Sequence, residues 1–247
     1  MLKRFLFSVE GVIGAGKTEF VTLLRERLPV FVQKNVHVIF EPVECWKDSG
    51  LLADFYADPQ KNSYPFQSIT FATRAIDIAT QVIDLDENVV VITERSVTAD
   101  KHIFGEMLQN DGKFTDVELR AYNLCYEKWQ IFLRKIGIKI AGYIVLDPPI
   151  DVTMERIANR ARIGETVDIK YQTELHAQQT AKFGDINNTE NIPKKIDGFS
   201  YGVGKVALDG ETTPVLYINT TRDFRISNGG DDEIVEIVAN FVNNSTQ

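Results

Sequence analysis

Apolar positions along the chain fall into a repeating order. Residues 5–9 form a short apolar run that enters a glycine-rich stretch, the pattern of a buried strand. Phe20, Leu23, Leu24 and Leu28 then recur at helical spacing over 17–28, and Pro29 is expected to stop that helix. A second strand is predicted over 36–40, halted by Pro42. A helix follows over 67–85, with Ile69, Ala72, Ile76, Ala79 and Ile83 along one side. Residues 89–93 are apolar and β-branched, which predicts a third strand covered on both faces. Helices are predicted over 103–108 and 117–136, and a fourth strand over 143–146, ended by Asp147, Pro148 and Pro149. Helices over 152–161 and 171–183, a fifth strand over 215–219 and a helix over 233–242 complete the pattern.

Strands alternating with helices predict an α/β fold in three layers, a five-stranded parallel sheet flanked by helices. No repeat or composition shift divides the chain, so one domain over 1–247 is expected. Residues 185–213 are rich in Gly, Asn, Asp and Lys with little periodicity, and are expected to form a long loop.

Composition narrows the function classes. With 44% apolar and 25% charged residues over 247 positions, the chain can bury a large core and is not intrinsically disordered. A net charge of −8 argues against a nucleic-acid polymer as partner, because such binding needs phosphate neutralisation. Cys45 and Cys125 cannot build a disulfide framework, and His37, His102 and His176 lack metal-ligand spacing. No apolar run is long enough to span a bilayer, and the first ten residues do not read as a signal peptide. A cytoplasmic location is the expectation, and the sequons at Asn187, Asn219 and Asn243 are then chance matches.

Gly11-Val12-Ile13-Gly14-Ala15-Gly16-Lys17-Thr18 fits the phosphate-binding pattern G-x-x-x-x-G-K-[ST]. It lies between the first predicted strand and the first helix, where the mechanism requires it. Backbone N–H groups at Gly11, Gly14, Ala15 and Gly16 can curl around a phosphate, and the helix N-terminus adds a favourable dipole. Lys17 supplies a point charge, and Thr18 a hydroxyl for Mg²⁺. The guanine-specifying patterns D-x-x-G and N-K-x-D are absent. Three further features suit phosphoryl transfer from ATP to a small acceptor. Glu41 follows the second strand, where ligands of open α/β sheets lie and where a carboxylate can take a hydroxyl proton. Glu94 ends the third strand, placed to organise Mg²⁺. Arg156, Arg160 and Arg162 concentrate cationic charge in an otherwise acidic chain, as a lid over transferring phosphoryl oxygens.

Four motifs in order resemble the deoxynucleoside kinase family: the P-loop, Glu41-Pro42-Val43 through Trp46, Glu94-Arg95-Ser96, and the Arg-rich lid (about 156–167) followed by Tyr171 through His176. The resemblance runs from about Phe5 to Lys182 and returns near Asp223. It implies a P-loop kinase fold that phosphorylates a deoxynucleoside at its 5′-hydroxyl in nucleotide salvage, with ATP as donor, Mg²⁺, and a homodimer. Glu41 resembles the general base, and Arg95 the arginine that holds it and the 5′ end. Gln67 resembles the amide that bonds the base. Phe66 and Phe104 resemble the aromatic sandwich, with Trp46 beside it. Tyr56 and Glu165 resemble the pair that grips the 3′-hydroxyl. Asp223 and Phe224 resemble the loop that holds adenine.

Arg74 and Asp100 occupy positions where the family's deoxycytidine- and purine-type members carry Arg and Asp, and where thymidine-accepting members carry smaller or apolar residues. Thymidine is therefore expected to be a poor substrate. The chain departs from the family at Phe55, where a Met is common, and at Gly164, where a second acid is common; Gly164 is expected to add flexibility. Residues 185–213 have no evident family counterpart. Two alternatives share the P-loop: a nucleoside monophosphate kinase of thymidylate type, which Glu41 disfavours by repelling an acceptor phosphate, and a nucleotide-sensing module without turnover.

Overall fold

A computed structural model describes residues 4–86, 89–185, 194–196, 199–224 and 231–246. In chain order the elements are β1 (Arg4–Glu10), α1 (Lys17–Val32), β2 (Val36–Ile39), α2 (Val43–Asp48), α3 (Leu51–Ala57), α4 (Pro59–Val82), β3 (Val90–Glu94) and the single turn α5 (Val97–Ala99). A π-helical turn (Asp100–Gly105) leads into α6 (Glu106–Asn110), α7 (Asp116–Lys135), β4 (Ile138–Leu146), α8 (Ile150–Arg160) and α9 (Ile169–Phe183). β5 (Lys194–Ile196), β6 (Phe199–Leu208), β7 (Glu211–Thr220) and α10 (Asp231–Ser245) follow.

Among the described residues, seven strands form one sheet in the order β2-β3-β1-β4-β7-β6-β5. β2, β3, β1, β4 and β7 are the parallel strands expected from the apolar runs. Beyond them, β6 and β5 add antiparallel edges. The period-2 alternation of strand side chains divides the core. Phe7, Val9, Val90 and Ile92 pack with Phe20 and Leu24 of α1, Leu175 of α9 and Val238 of α10. Leu6 and Val91 pack on the other face with Ile78 and Val82 of α4 and with Tyr126 and Trp129 of α7. Arg4 joins the layers: its buried guanidinium donates to the carbonyls of Ile83, Leu85 and Ile136. These carbonyls lie at the ends of α4 and α7, where intrahelical partners run out.

Several expectations are corrected. The sheet has more than five strands, because residues 199–213 are not loop but most of a long hairpin. Its two-residue turn, Asp209-Gly210, has positive φ at both positions (54° and 76°), as a type I′ connection requires. Residues 186–193 and 197–198 of the expected loop lie outside the described residues. Pro29 does not stop α1. One missing N–H in the last turn is tolerated, buried Val32 holds the end, and Gln33 caps it by donating to the Pro29 carbonyl. α4 begins well before Gln67, at Pro59, with Asp58 accepting the Lys61 N–H as N-cap. α2 and α3, too short to show a helical period in the sequence, carry Trp46 and Tyr56. No helix among the described residues is long and apolar enough to cross a membrane.

Candidate active site

A cavity of about 410 Å³ opens beyond the carboxyl ends of the parallel strands, walled by the P-loop, α2–α4, the π-helical turn and the segment after α8. β1 delivers the chain into Gly11–Gly16, and α1 starts at Lys17. Gly14 has φ +77°, and a Cβ there would lie 2.5 Å from the Thr153 carbonyl, so only glycine lets α8 approach the loop this closely. The Lys17 ammonium is buried and donates to the carbonyls of Gly11 and Val12. Burial, followed by the charge of Arg95, lowers its pKa to about 7. The Thr18 hydroxyl donates to Glu94 Oε1 at 2.5 Å. Burial and then the nearby Glu41 charge raise the Glu94 carboxyl above its ordinary range, against the pull of Lys17 and Thr18.

At the centre lies Glu41, just past β2. Arg74 Nη2 donates to its Oε1 at 2.5 Å, and Arg95 Nε lies 3.4 Å from the same oxygen. Burial alone would raise the Glu41 pKa, but the charges of Arg95 and Arg74 outweigh it and hold it at about 2. The backbone N–H of Glu41 points to Glu94 Oε2 at 3.4 Å, tying the two acids together. Arg95 adopts φ +65°, an uncommon conformation for a side-chain-bearing residue. It is held there by its N–H on the Val9 carbonyl, by Nη2 on the Gly11 carbonyl, and by Phe104, whose ring centroid lies 4.5 Å from the guanidinium carbon. The second nitrogen of Arg74, Nη1, pairs with Asp100 Oδ1 at 2.8 Å.

Gln67 donates its amide to the Asp100 carbonyl (3.0 Å) and to the Tyr122 hydroxyl (3.3 Å), which fixes its side-chain oxygen as the free end. Phe66 stacks on Phe55 with centroids 4.8 Å apart, and Trp46 meets its edge at 6.1 Å. The Trp46 indole N–H donates to Thr73, and the Arg74 guanidinium lies 5.4 Å over its ring. Phe104 and Phe66 both line the cavity.

The lid arginines divide into two groups. Arg156 donates to the carbonyls of Ala15, Thr221 and Arg222, joining the P-loop to the segment after β7. Arg160 and Arg162 instead pair with Glu165, at 2.5 and 3.5 Å. The Tyr56 phenol is held well above its usual pKa by burial and then by Tyr171 and Glu165, and Tyr56 and Glu165 both line the cavity. Gly164 is a docking point: it has φ +80°, and a Cβ there would lie 2.9 Å from Ala53 Cβ on α3. Phe224 packs 4.9 Å from Phe20, and Asp223 lines the cavity. Tyr171 and Thr70 also line it. Tyr171 begins the stretch Tyr171 through His176 that resembles the family, whereas nothing in the sequence pattern singles out Thr70.

The Thr18 hydroxyl and the Glu94 carboxylate are hard oxygen donors beside the phosphate loop. Magnesium is held in such sites by one or two carboxylates plus phosphates and waters. No group of three or more His, Cys, Asp or Glu among the described residues could hold a metal unaided. The donor set therefore fits magnesium bound together with a nucleotide's phosphates.

The deoxynucleoside kinase family model matches residues 7–243, a span that includes the hairpin. A probable deoxycytidine kinase of fowlpox virus is 35% identical over 184 residues, covering 74% of this chain and 73% of that protein. Deoxycytidine kinase 2 of Gallus gallus is 28% identical, covering 68% and 70%. A thymidine kinase of Ictalurid herpesvirus 1 is 26% identical, covering 76% and 78%. On the family match and these relatives, the chain belongs to the deoxynucleoside kinase family and is an enzyme that phosphorylates nucleosides, with ATP as the donor its family implies.

Proposed function

We propose that the enzyme transfers the γ-phosphoryl of ATP to the 5′-hydroxyl of a deoxynucleoside, serving nucleotide salvage, with deoxycytidine or a purine deoxynucleoside preferred over thymidine. The observation that carries this reading is Glu41, an ionised carboxylate held by Arg95 and Arg74 in the same cavity as the P-loop. Glu41 accepts the proton as the 5′-oxygen forms its bond to γ-phosphorus and the bond to the β–γ bridging oxygen breaks in line. Lys17 and Arg156 sit against the P-loop backbone, suited to the charge on the phosphoryl oxygens. Arg160 and Arg162 join them once the acceptor engages Glu165. Thr18 and Glu94 would hold Mg²⁺, which neutralises charge on the triphosphate.

Gln67 and Asp100 meet the edge of the base, Phe66 and Phe104 its faces, Trp46 its flank, and Tyr56 with Glu165 the 3′-hydroxyl. Asp223 and Phe224 hold the adenine of ATP. The buried Arg74–Asp100 pair supports the base preference, since it fills with charge the space a thymine methyl would need. An ionised Glu41 beside the acceptor also argues against a monophosphate acceptor. Glu41→Gln is expected to lower kcat by at least ~100-fold, the scale of general-base catalysis. Near-normal turnover would remove Glu41 from this role.

We further propose a homodimer. Ile76 of α4, Ile83 at its C-terminal end, and Val117, Leu124 and Ile131 of α7 leave apolar side chains exposed on two packed helices. A solution mass of one chain would contradict this. Free, exposed Cys45 and Cys125 suit a reducing, cytoplasmic setting, which fractionation of the source cells would test.

A further inference from the structure

The β6–β7 hairpin ends in a turn that reaches across to the base side of the cavity. Its Asp209, held at φ +54°, places Oδ1 2.9 Å from Nε2 of His102. Asp209 Oδ2 accepts from the Tyr126 hydroxyl of α7 at 2.5 Å. The other His102 nitrogen, Nδ1, lies 2.7 Å from Glu106 Oε1. Glu106 Oε2 in turn pairs with Lys182 of α9 at 2.5 Å, and the His102 carbonyl accepts from Gln178 of α9 at 2.8 Å. His102 is therefore fastened by the hairpin turn, by α6 and by α9.

His102 lies in the π-helical turn Asp100–Gly105. A π turn is a rare backbone form that persists where its surroundings impose it, and it recurs at functional sites. Two residues before His102 is Asp100, whose side chain holds Arg74 and whose carbonyl holds Gln67. Two residues after it is Phe104, stacked under Arg95. The outer face of the turn thus carries the clamp, while Asp100 and Phe104 line the cavity.

We propose that Asp209 and His102 are positioning residues for the nucleoside base: the hairpin turn clamps the π-helical turn so that Asp100 and Phe104 stay in register with Gln67 and Arg74. This rests on the assignment of the base site above. The Asp209 and Glu106 carboxyls lie below their ordinary range: burial opposes this, but the bonds from His102, Tyr126 and Lys182 outweigh it. The hairpin thereby gains a role at the acceptor side and not at the ATP side.

The test uses the full chain carrying Asp209→Ala, with Asp209→Asn as the milder variant because Asn also tolerates the left-handed conformation. Two readouts separate the clamp from the base assignment. Amide hydrogen exchange over 100–105 is expected to quicken in Asp209→Ala and, less, in Asp209→Asn. The KM for deoxycytidine is expected to rise about tenfold in Asp209→Ala, the scale of one lost charge-assisted hydrogen bond, with the KM for ATP and kcat within about twofold of the parent. His102→Gln is expected to follow Asp209→Ala. Unchanged exchange over 100–105 overturns the clamp. Quickened exchange with an unchanged deoxycytidine KM, or equal losses for both substrates together with a lowered Tm, overturns the positioning role. If the parent enzyme phosphorylates no deoxynucleoside, the base assignment fails, and the exchange readout still decides the clamp.

Discussion

Glu41 accepts a 2.5 Å hydrogen bond from Arg74, and the same guanidinium is held at its other end by Asp100. One buried cation thus spans the residue assigned to the proton and the residue assigned to the base. Removing it alone leaves Asp100, only 2% exposed, as an unpaired buried charge, a loss on the scale of 3–5 kcal/mol that is about enough to unfold a marginal domain. Removing both partners avoids that penalty. Arg74→Leu with Asp100→Ala is therefore expected to keep the fold while raising the thymidine-to-deoxycytidine ratio of kcat/KM by about tenfold or more. Arg74→Leu alone is expected to lower Tm sharply. An unchanged ratio in the folded double variant would show that the pair does not select the base.

Lys17 gives a pH dependence of defined sign. In the free enzyme its pKa is lowered to about 7, first by burial and then by Arg95. A bound triphosphate brings negative charge and raises it again. Binding therefore takes up a proton when the pH is above about 7, and affinity is full below that value and declines as the pH rises past it. Calorimetry near about pH 8 in magnesium-free buffers of different ionisation heats is expected to show proton uptake on ATP binding. Absence of uptake, or affinity that grows with pH, would contradict a neutral Lys17 in the free site.

Gly164 seats the lid on α3. Its φ of +80° disfavours any side chain, and a Cβ there would overlap Ala53. Gly164→Ala is expected to lift this segment from the helix that carries Tyr56 and to raise the deoxynucleoside KM severalfold. Ala53→Gly in the same chain should recover part of the loss by clearing the contact, though not the backbone strain. If Gly164→Ala leaves the KM unaltered, the docking has no bearing on the acceptor site.

The parallel strands were legible in the sequence because burial on both faces favours apolar runs, as at residues 89–92 of the predicted third strand. The P-loop and the acids at the strand ends were legible for a related reason: the chemistry demands particular residue types at fixed places in the topology. The hairpin was not, since β6 breaks its pattern with buried glycines, Gly202 and Gly204, and with exposed positions, Lys205 and Ala207. Its turn signal, Asp209-Gly210, was nonetheless present in the sequence.

Other features lie beyond any periodicity. The π-helical register at Asp100–Gly105 and the positive φ of Arg95 are imposed by partners distant in sequence, among them Asp209, Val9 and Gly11. Helical spacing likewise put Arg156 and Arg160 on one face, but it could not foresee that Arg156 reaches the P-loop while Arg160 turns to Glu165.

The most direct test of the central claim is phosphate transfer from Mg-ATP to a panel of the four deoxynucleosides, their ribonucleoside counterparts and the four deoxynucleoside monophosphates. The expected result is a 5′-monophosphate of deoxycytidine or of a purine deoxynucleoside, with thymidine a weak acceptor. Transfer confined to monophosphates, or to no member of the panel, would contradict the assignment of Glu41, Arg95 and Gln67 to a nucleoside acceptor.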